Sequence, residues 1–304
     1  MSDLPDFLII GAARSGTTAL HDYLRQHPGI FMPALKEPNF FAYEGTTPRC
    51  RGPGAEFINN SLTDQAAYRA LFAPAPPGAV CGEASPLYLY SPRAPGRIAR
   101  RLPRARLIAI LRNPVEQAFS HFTYATRLAI EPETDFLRAL ELEQERLAAG
   151  WQPLFGYSSF PRYGEQLERY FALFPRSQIL IRTYEEFRDR PQQLMREIFA
   201  FLGVDAGFRP DMSRRPNAGG VPRNRALQDF LMRPNPVTGA IARLLPQKLS
   251  RTIRDRLAAA NTRPAPQMPP DARAILAERL RDDIERLQAL LRRDLSHWLA
   301  PPAS

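Results

Sequence analysis

The chain has 304 residues, 44% of them hydrophobic, enough to bury a full core as one large domain or as one domain with an appendage. Its two cysteines, Cys50 and Cys81, lie far apart with no Cys-x-x-Cys partner, which argues against a disulfide framework or a zinc site and for a reducing compartment. The formal net charge of +10 implies attraction to anions, without distinguishing nucleic acid, a membrane surface, an acidic polymer or a charged cofactor.

The chain begins Met1-Ser2-Asp3-Leu4-Pro5-Asp6, with no basic and apolar leader, and no stretch reaches the roughly 18 apolar residues of a membrane span, so a cytoplasmic protein is expected. Phe7-Leu8-Ile9-Ile10 then reads as an apolar strand, running through Gly11-Ala12-Ala13-Arg14-Ser15-Gly16-Thr17-Thr18 into a helix over 17–26 that His27-Pro28-Gly29 stops. Such a loop aims backbone N–H groups and the positive end of the helix dipole at one spot, which suits a phosphate or sulfate. The Gly-x4-Gly spacing matches the P-loop, but Thr17 stands where an ATPase or GTPase has its lysine, and Arg14 lies inside the loop instead. The loop is therefore expected to bind a relative of a nucleotide phosphate and not an ordinary nucleoside triphosphate.

A short strand at 30–32 leads into Lys36-Glu37-Pro38-Asn39-Phe40-Phe41, and residues 44–63 read as an exposed loop. Thr63 is expected to cap a helix over 64–72, before a strand at 79–83. Residues 106–112 form a strand that is apolar through its middle, as a buried parallel strand is, and Pro114 opens a helix to about 128. Helices are expected at 135–149 and 162–174, a strand at 178–182, and a helix at 190–202 ended by Gly203. Strands alternating with helices predict an α/β fold with a mainly parallel sheet. Past Asp205 come loops and arginines, then amphipathic helices around 225–232, 237–244 and 270–296. The proline-rich run 264–270 is a local break, and the last apolar face, ending at Trp298, is expected to pack on the main domain.

Leu111-Arg112-Asn113-Pro114 places a cation where a Mg-dependent NTPase ends its strand in a metal-holding aspartate, so Arg112 is suited to reading an anion directly. Ser120 lies six residues past Pro114, about 9 Å of helix rise, so it shares a phosphate with Arg112 only if that group lies alongside the helix. Together with the loop, these pieces resemble the sulfotransferases that use 3′-phosphoadenosine 5′-phosphosulfate (PAPS). The resemblance is strongest to the carbohydrate type, heparan sulfate N- and 3-O-sulfotransferases, and to their bacterial relatives, and it covers about residues 5–205.

The resemblance implies a P-loop, nucleotide-kinase-like α/β fold with a helical C-terminal extension. It implies one domain over 1–304, with the core in 5–205 and a nucleotide-closing loop and helical tail in 206–304. Arg14, Ser15, Gly16, Thr17 and Thr18 would bind the 5′-phosphosulfate, Arg112 and Ser120 the 3′-phosphate, and Glu37 would deprotonate the acceptor. Gly82-Glu83-Ala84-Ser85-Pro86-Leu87-Tyr88 resembles a segment lining the acceptor site, so Lys36, Glu83, Ser85 and Tyr88 are expected on the acceptor side. Arg223, in the basic loop 214–223, is expected as a further 3′-phosphate contact. Two positions depart from the family: Arg14 often stands as lysine, and Ala84 replaces a lysine of the 3-O-type enzymes.

The chemistry this implies is in-line transfer of a sulfuryl group to a hydroxyl or amine, with Arg14 and the amides of 14–18 stabilising charge on the leaving phosphate oxygen. Glu37 takes the acceptor proton, and no metal is required. His121 is a rival base, whereas His21, His27 and His297 lack companions for a metal or triad site. Phe40, Phe41, Tyr88 and Tyr90 either line an acceptor groove or belong to the core. The expected acceptor is a carbohydrate or glycolipid, with no nucleic-acid partner. A Mg-dependent P-loop kinase and a non-catalytic binder of anionic polymers are the alternatives.

Overall fold

The computed structural model describes residues 4–213, 220–232 and 247–300. Its centre is a parallel sheet of β1 (Phe7–Gly11), β2 (Ile30–Phe31), β3 (Val80–Ala84), β4 (Arg106–Leu111) and β5 (Ile179–Thr183), in the order β2-β3-β1-β4-β5. The interiors of β1 and β4 are continuously apolar because both faces of the sheet are covered. Alternate side chains therefore enter different cores: Leu8, Ile10, Leu107 and Ala109 on one face, Phe7, Ile9, Ile108 and Ile110 on the other. Gly82 lies against the ring of Phe7, where a Cβ would come within 2.1 Å of the ring, so β3 pairs beside β1 only with glycine there.

The helices are α1 (Thr17–Leu24), α2 (Phe40–Tyr43), α3 (Glu56–Asn59), α4 (Gln65–Ala70), α5 (Leu87–Tyr90), α6 (Ala94–Arg101), α7 (Pro114–Arg127), α8 (Phe136–Glu141) and α9 (Glu143–Ala148). They continue as α10 (Tyr163–Phe171), α11 (Tyr184–Asp189), α12 (Pro191–Leu202) and α13 (Arg225–Met232), followed by helices Gln247–Ala260 and Pro270–Leu291. α1 and α12 cover one face of the sheet through Leu20, Leu24, Leu194, Ile198 and Phe199. The other face is covered by α5, α7, α10 and the helix Pro270–Leu291.

The strands fall within a residue or so of expectation, and Gly203 ends α12 in the left-handed region at φ 74°. Five local readings change. The cap of α4 is Asp64 and not Thr63, because the Asp64 carboxylate accepts the Ala67 N–H at 2.8 Å. The helix expected over 135–149 is two, α8 and α9, joined at Leu142. α11 precedes α12, separated at Arg190 by Pro191, which disfavours a helical residue before it. The loop 44–63 contains α3 and a bridge from Arg51 to Trp151, and the segment after β3 folds into the unforeseen α5 and α6. The helix expected at 237–244 and residues 214–219 of the basic loop lie outside the described residues.

The C-terminal helix spans Pro270–Leu291, short of the expected 296, and Arg292 turns out of it at φ 52°. It buries Leu276, Leu280, Ile284 and Leu287 in the same core as Leu8 and Ile10. Its Asp283 carboxylate accepts the N–H groups of Gly164 at 2.9 Å and Glu165 at 3.0 Å, capping α10 from across the interface. Trp298 is buried beyond it, and its carbonyl accepts from Asn113 Nδ2 at 3.0 Å. Among the described residues, no helix is long and apolar enough to cross a membrane.

Candidate active site

Strand order reverses at β1, with β3 and β2 to one side and β4 and β5 to the other. A crevice at the carboxyl ends of the strands is the expected ligand site of such a sheet. Here it gathers the loop after β1, Ser85 after β3, Arg112 after β4 and Tyr184 after β5.

The loop after β1 leaves the N–H groups at the start of α1 open, while those of Ala12 and Ser15 donate to the Ile110 and Ala12 carbonyls at 2.8 and 3.3 Å. Arg14 at φ 63° and Gly16 at φ 86° turn the backbone through left-handed conformations, and Gly16 caps α1 with no side-chain hydrogen bond. The amides of Thr17 and Thr18, first in the helix, consequently have no intrahelical acceptor. A Cβ on Gly16 would meet the Phe187 ring at 2.8 Å, so the turn holds only glycine. Ser15 and Thr17 are buried, Gln117 Nε2 of α7 donates to the Ala13 carbonyl at 3.2 Å, and Arg112 Nη1 donates to the Arg14 carbonyl at 3.4 Å. The loop is thus fixed from two neighbouring elements before any ligand arrives.

The Arg14 guanidinium lies 4.1 Å from the centroid of Tyr124, and its Nε is buried with no hydrogen-bond partner. Arg112 lies over Tyr184 at 5.1 Å. Neither makes a carboxylate ion pair among the described residues. Burial pushes the pKa of Arg14 down to about 10, with Arg127 and Arg112 adding to the fall and Tyr124 and Glu37 opposing it, so it stays cationic at neutral pH. Burial lowers Arg112 as well. Two desolvated cations, close enough for Arg112 to lower Arg14 and neither in a direct carboxylate ion pair among the described residues, form a site complementary to an anion with more than one charge. Ser120 lies on α7 between Gln117 and Tyr124, three residues after one and four before the other. It therefore shares the helix face that meets the loop.

Glu37 stands on an exposed turn whose backbone is held in unusual conformations, φ 60° at Glu37 and φ 53° at Asn39. Its N–H donates to the Ala84 carbonyl at 3.0 Å, and Lys36 Nζ ion-pairs with its carboxylate. Glu37 is close enough to Arg14 to oppose that residue's fall in pKa.

Glu83, Ser85 and Tyr88, expected on the acceptor side, have side chains sealed beneath this turn, at 1%, 0% and 0% exposure. Tyr88 Oη donates to Glu83 Oε1 at 2.6 Å, Ser85 Oγ to Glu83 Oε2 at 2.9 Å, and Tyr68 Oη to Glu83 Oε1 at 3.2 Å. Burial pushes the Glu83 carboxyl up to about 7; the hydrogen bonds of Tyr88, Ser85 and Tyr68 oppose the rise and Glu37 adds to it. Phe40 and Phe41 are likewise buried, stacking on Tyr68 and against Tyr88, whereas Tyr90 is partly exposed against Phe160.

His121 is 1% exposed, enclosed by Phe160 and Tyr157, with Nδ1 unpartnered. Burial and then Arg14 push its pKa down to about 3, so it is neutral at physiological pH. Arg223 is exposed just after a two-residue strand, Val221–Pro222, which pairs with Thr262–Arg263 and packs on α7. Its Nε donates to the Thr262 carbonyl at 3.3 Å.

Tyr124, Tyr184 and Gln117 were not singled out from the sequence. Helical spacing from Ser120 marks Gln117 and Tyr124, and position at the carboxyl end of a strand marks Tyr184.

The model of the Sulfotransferase family matches residues 5–209. Human heparan sulfate glucosamine 3-O-sulfotransferase 6 is 31% identical over 204 residues, 66% of this chain and 52% of that protein. Mouse bifunctional heparan sulfate N-deacetylase/N-sulfotransferase 4 is 29% identical over 219 residues, 66% of this chain and 22% of that protein. The chain thus spans about half the length of the first of these relatives and about a fifth of the second. The crystal structure of a sulfotransferase from Alicyclobacillus acidocaldarius is similar with a TM-score of 0.76 at 31% identity, covering 98% of this chain and 99% of that one. The sulfotransferase domain from the curacin biosynthetic pathway shares the fold, with a TM-score of 0.52 at 16% identity over 97% of this chain and 100% of its own.

Proposed function

Because this chain belongs to the sulfotransferase family, we propose that it moves a sulfuryl group from PAPS to a hydroxyl or amine of a carbohydrate or glycolipid. The observation that carries the cofactor reading is the pair Arg14 and Arg112, both desolvated, adjacent and without carboxylate partners at the carboxyl ends of β1 and β4. The unpartnered Arg14 Nε and the open amides at the start of α1 fit a cofactor whose two anionic groups need separate holders. Arg14, Ser15, Gly16, Thr17 and Thr18 would hold the 5′-phosphosulfate, and Arg112 with Ser120 the 3′-phosphate. Arg223 is assigned to the same end of the cofactor. PAPS, when bound, supplies the sulfuryl group.

The chain's own residues do the rest. Arg14 and the amides of 14–18 stabilise negative charge at the leaving oxygen, a preorganised contribution needing no rearrangement during the reaction. Glu37, exposed and directed by a strained turn, accepts the proton of the acceptor hydroxyl or amine. Lys36 is the cation beside it. Glu83, Ser85 and Tyr88 act on the acceptor side from below, through the turn that they support. No step draws on a metal. Similarity to proteins named as heparan sulfate sulfotransferases supports a glycan acceptor. Free Cys50 and Cys81 support a reducing, cytoplasmic location, and the share of the helix Pro270–Leu291 in the core supports the reading of one domain over 1–304.

The test is thermal stabilisation by 3′-phosphoadenosine 5′-phosphate beside ATP with Mg and 5′-AMP. A ligand at 100 times its Kd adds about 2.7 kcal/mol. A shift with the bisphosphate alone, lost in Arg112→Ala, is expected; a shift with ATP and Mg, or with none, overturns the reading. Glu37→Gln is expected to retain the bisphosphate shift and lose transfer.

A further inference from the structure

The Glu37 turn does not hold itself. Left-handed backbone at two non-glycine residues is strained and persists only where the surroundings impose it. The restraints are the Glu37 N–H on the Ala84 carbonyl at 3.0 Å, the Asn39 N–H on Ser85 Oγ at 3.1 Å, and the Phe41 N–H on Tyr88 Oη at 3.4 Å. Two of the three acceptors are therefore hydroxyl oxygens. A hydroxyl has one proton, and it offers lone pairs to an amide reliably only when that proton is engaged elsewhere. Both protons are engaged by one group, since Ser85 Oγ donates to Glu83 Oε2 and Tyr88 Oη to Glu83 Oε1. An ionised carboxylate only accepts, so it forces both protons inward and both sets of lone pairs outward, toward the turn.

We propose that Glu83 is the positioning residue of the catalytic turn: through Ser85 and Tyr88 it holds the amides of Asn39 and Phe41 and so fixes the direction in which Glu37 meets the acceptor. The catalytic part of this statement rests on Glu37 being the base; the positional part does not. Glutamine at 83 is nearly isosteric but presents an N–H2 to one of the two hydroxyls. That hydroxyl must turn its proton away from position 83 and toward the side on which it accepts, so its hold on the amide of the turn weakens. Protonation of Glu83 has the same effect. The titratable groups facing it are Tyr68 of α4, Tyr88 of α5, Tyr170 of α10 and Glu37 of the turn. Of these, burial pushes the three tyrosines up, out of the neutral range.

The experiment is hydrogen exchange of the peptide covering 36–43, read by mass spectrometry and corrected for intrinsic rate. Glu83→Gln and Ser85→Ala are expected to exchange about tenfold faster there than wild type, the equivalent of one lost hydrogen bond. Tyr170→Phe removes a buried hydroxyl that bonds the Tyr88 carbonyl at 2.8 Å but not the turn, and it is expected to leave this peptide unchanged. In wild type the protection is expected to fall as pH drops through about 7, and in Glu83→Gln to be flat across the same range. Wild-type protection in Glu83→Gln, whatever Ser85→Ala shows, or equal loosening in Tyr170→Phe, overturns the proposal. Binding of 3′-phosphoadenosine 5′-phosphate, measured in parallel, is expected to stay within about twofold in every variant, because the turn makes no part of the cradle. Absence of binding in wild type would sink the functional reading, while the exchange data would still decide the role of Glu83.

Discussion

Two buried titrating residues place opposite pH dependences in one core. Glu83 has its folded pKa raised to about 7 from 4.5, so its contribution to stability is fully present below 4.5 and is lost as pH rises through 7. The loss is of order 3 kcal/mol at most. His121 has its folded pKa lowered to about 3 from 6.5, so the unfolded chain binds the extra proton and stability falls as pH drops below 6.5. Urea midpoints are expected to respond accordingly: Glu83→Gln unfolds at higher urea than wild type at pH 8, and His121→Gln loses less stability than wild type between pH 6 and 4. Equal pH slopes in wild type and variant would refute either assignment. His121 is expected to leave activity profiles free of a limb of its own between pH 5 and 9, and its enclosure by Phe160 and Tyr157, away from solvent, argues against the rival base. Arg14 is the residue where removal is expected to be most costly to turnover. Arg14→Ala lowers kcat by about 10²-fold or more, the usual loss for a preorganised oxyanion donor, and a loss below tenfold would show that the amides suffice.

At the scale of elements, the two that build the cofactor end are set by single residues at their starts. Gly16→Ala demands a Cβ 2.8 Å from Phe187 at φ 86°. The expected cost is roughly 1–3 kcal/mol with loss of the bisphosphate shift, read by denaturation and by ligand stabilisation. Asn113 caps α7, its Oδ1 accepting from Val115 at 3.0 Å, while Nδ2 holds the Trp298 carbonyl. Asn113→Ala is therefore expected to cost about 2 kcal/mol, a cap plus a tertiary bond, and a cost under 0.5 kcal/mol would show that Pro114 starts the helix unaided. Elements with a local signal were legible beforehand. The loop Gly11–Gly16, the Pro114 start and the Gly203 stop all depend on what one residue's backbone allows. α5 and α6 were not legible, since four and eight residues, the first preceded by Pro86 and the second with Pro95 in its first turn, carry too little periodicity. The cap of α4 was misplaced by one residue because Thr63 and Asp64 are both good caps, and only geometry decides between neighbours.

Across the whole molecule, the C-terminal helix completes the core that the site stands on. Leu276, Leu280, Ile284, Leu287 and Trp298 are buried against α10 and α7, and Asp283 caps α10. A chain ending at residue 269 is expected to be insoluble or to unfold without cooperativity; a soluble fragment with a cooperative transition would make the tail an accessory. The sequence by itself determined the alternating fold, the anion-binding loop, the cation ending β4 and the family, because each is written in contiguous residues whose backbone or charge needs no partner. It also named Glu37, Arg112 and Ser120. Only the tertiary structure decided what surrounds them: that Tyr124 and Tyr184 stack on the two arginines, that Glu83 and Tyr88 sit under the turn and not in contact with solvent, and that Asp283 of the last helix caps α10. Those facts depend on which side chains meet across elements far apart in sequence, and a hydroxyl or carboxylate is exposed or buried, acidic or nearly neutral, according to neighbours that a linear pattern does not contain.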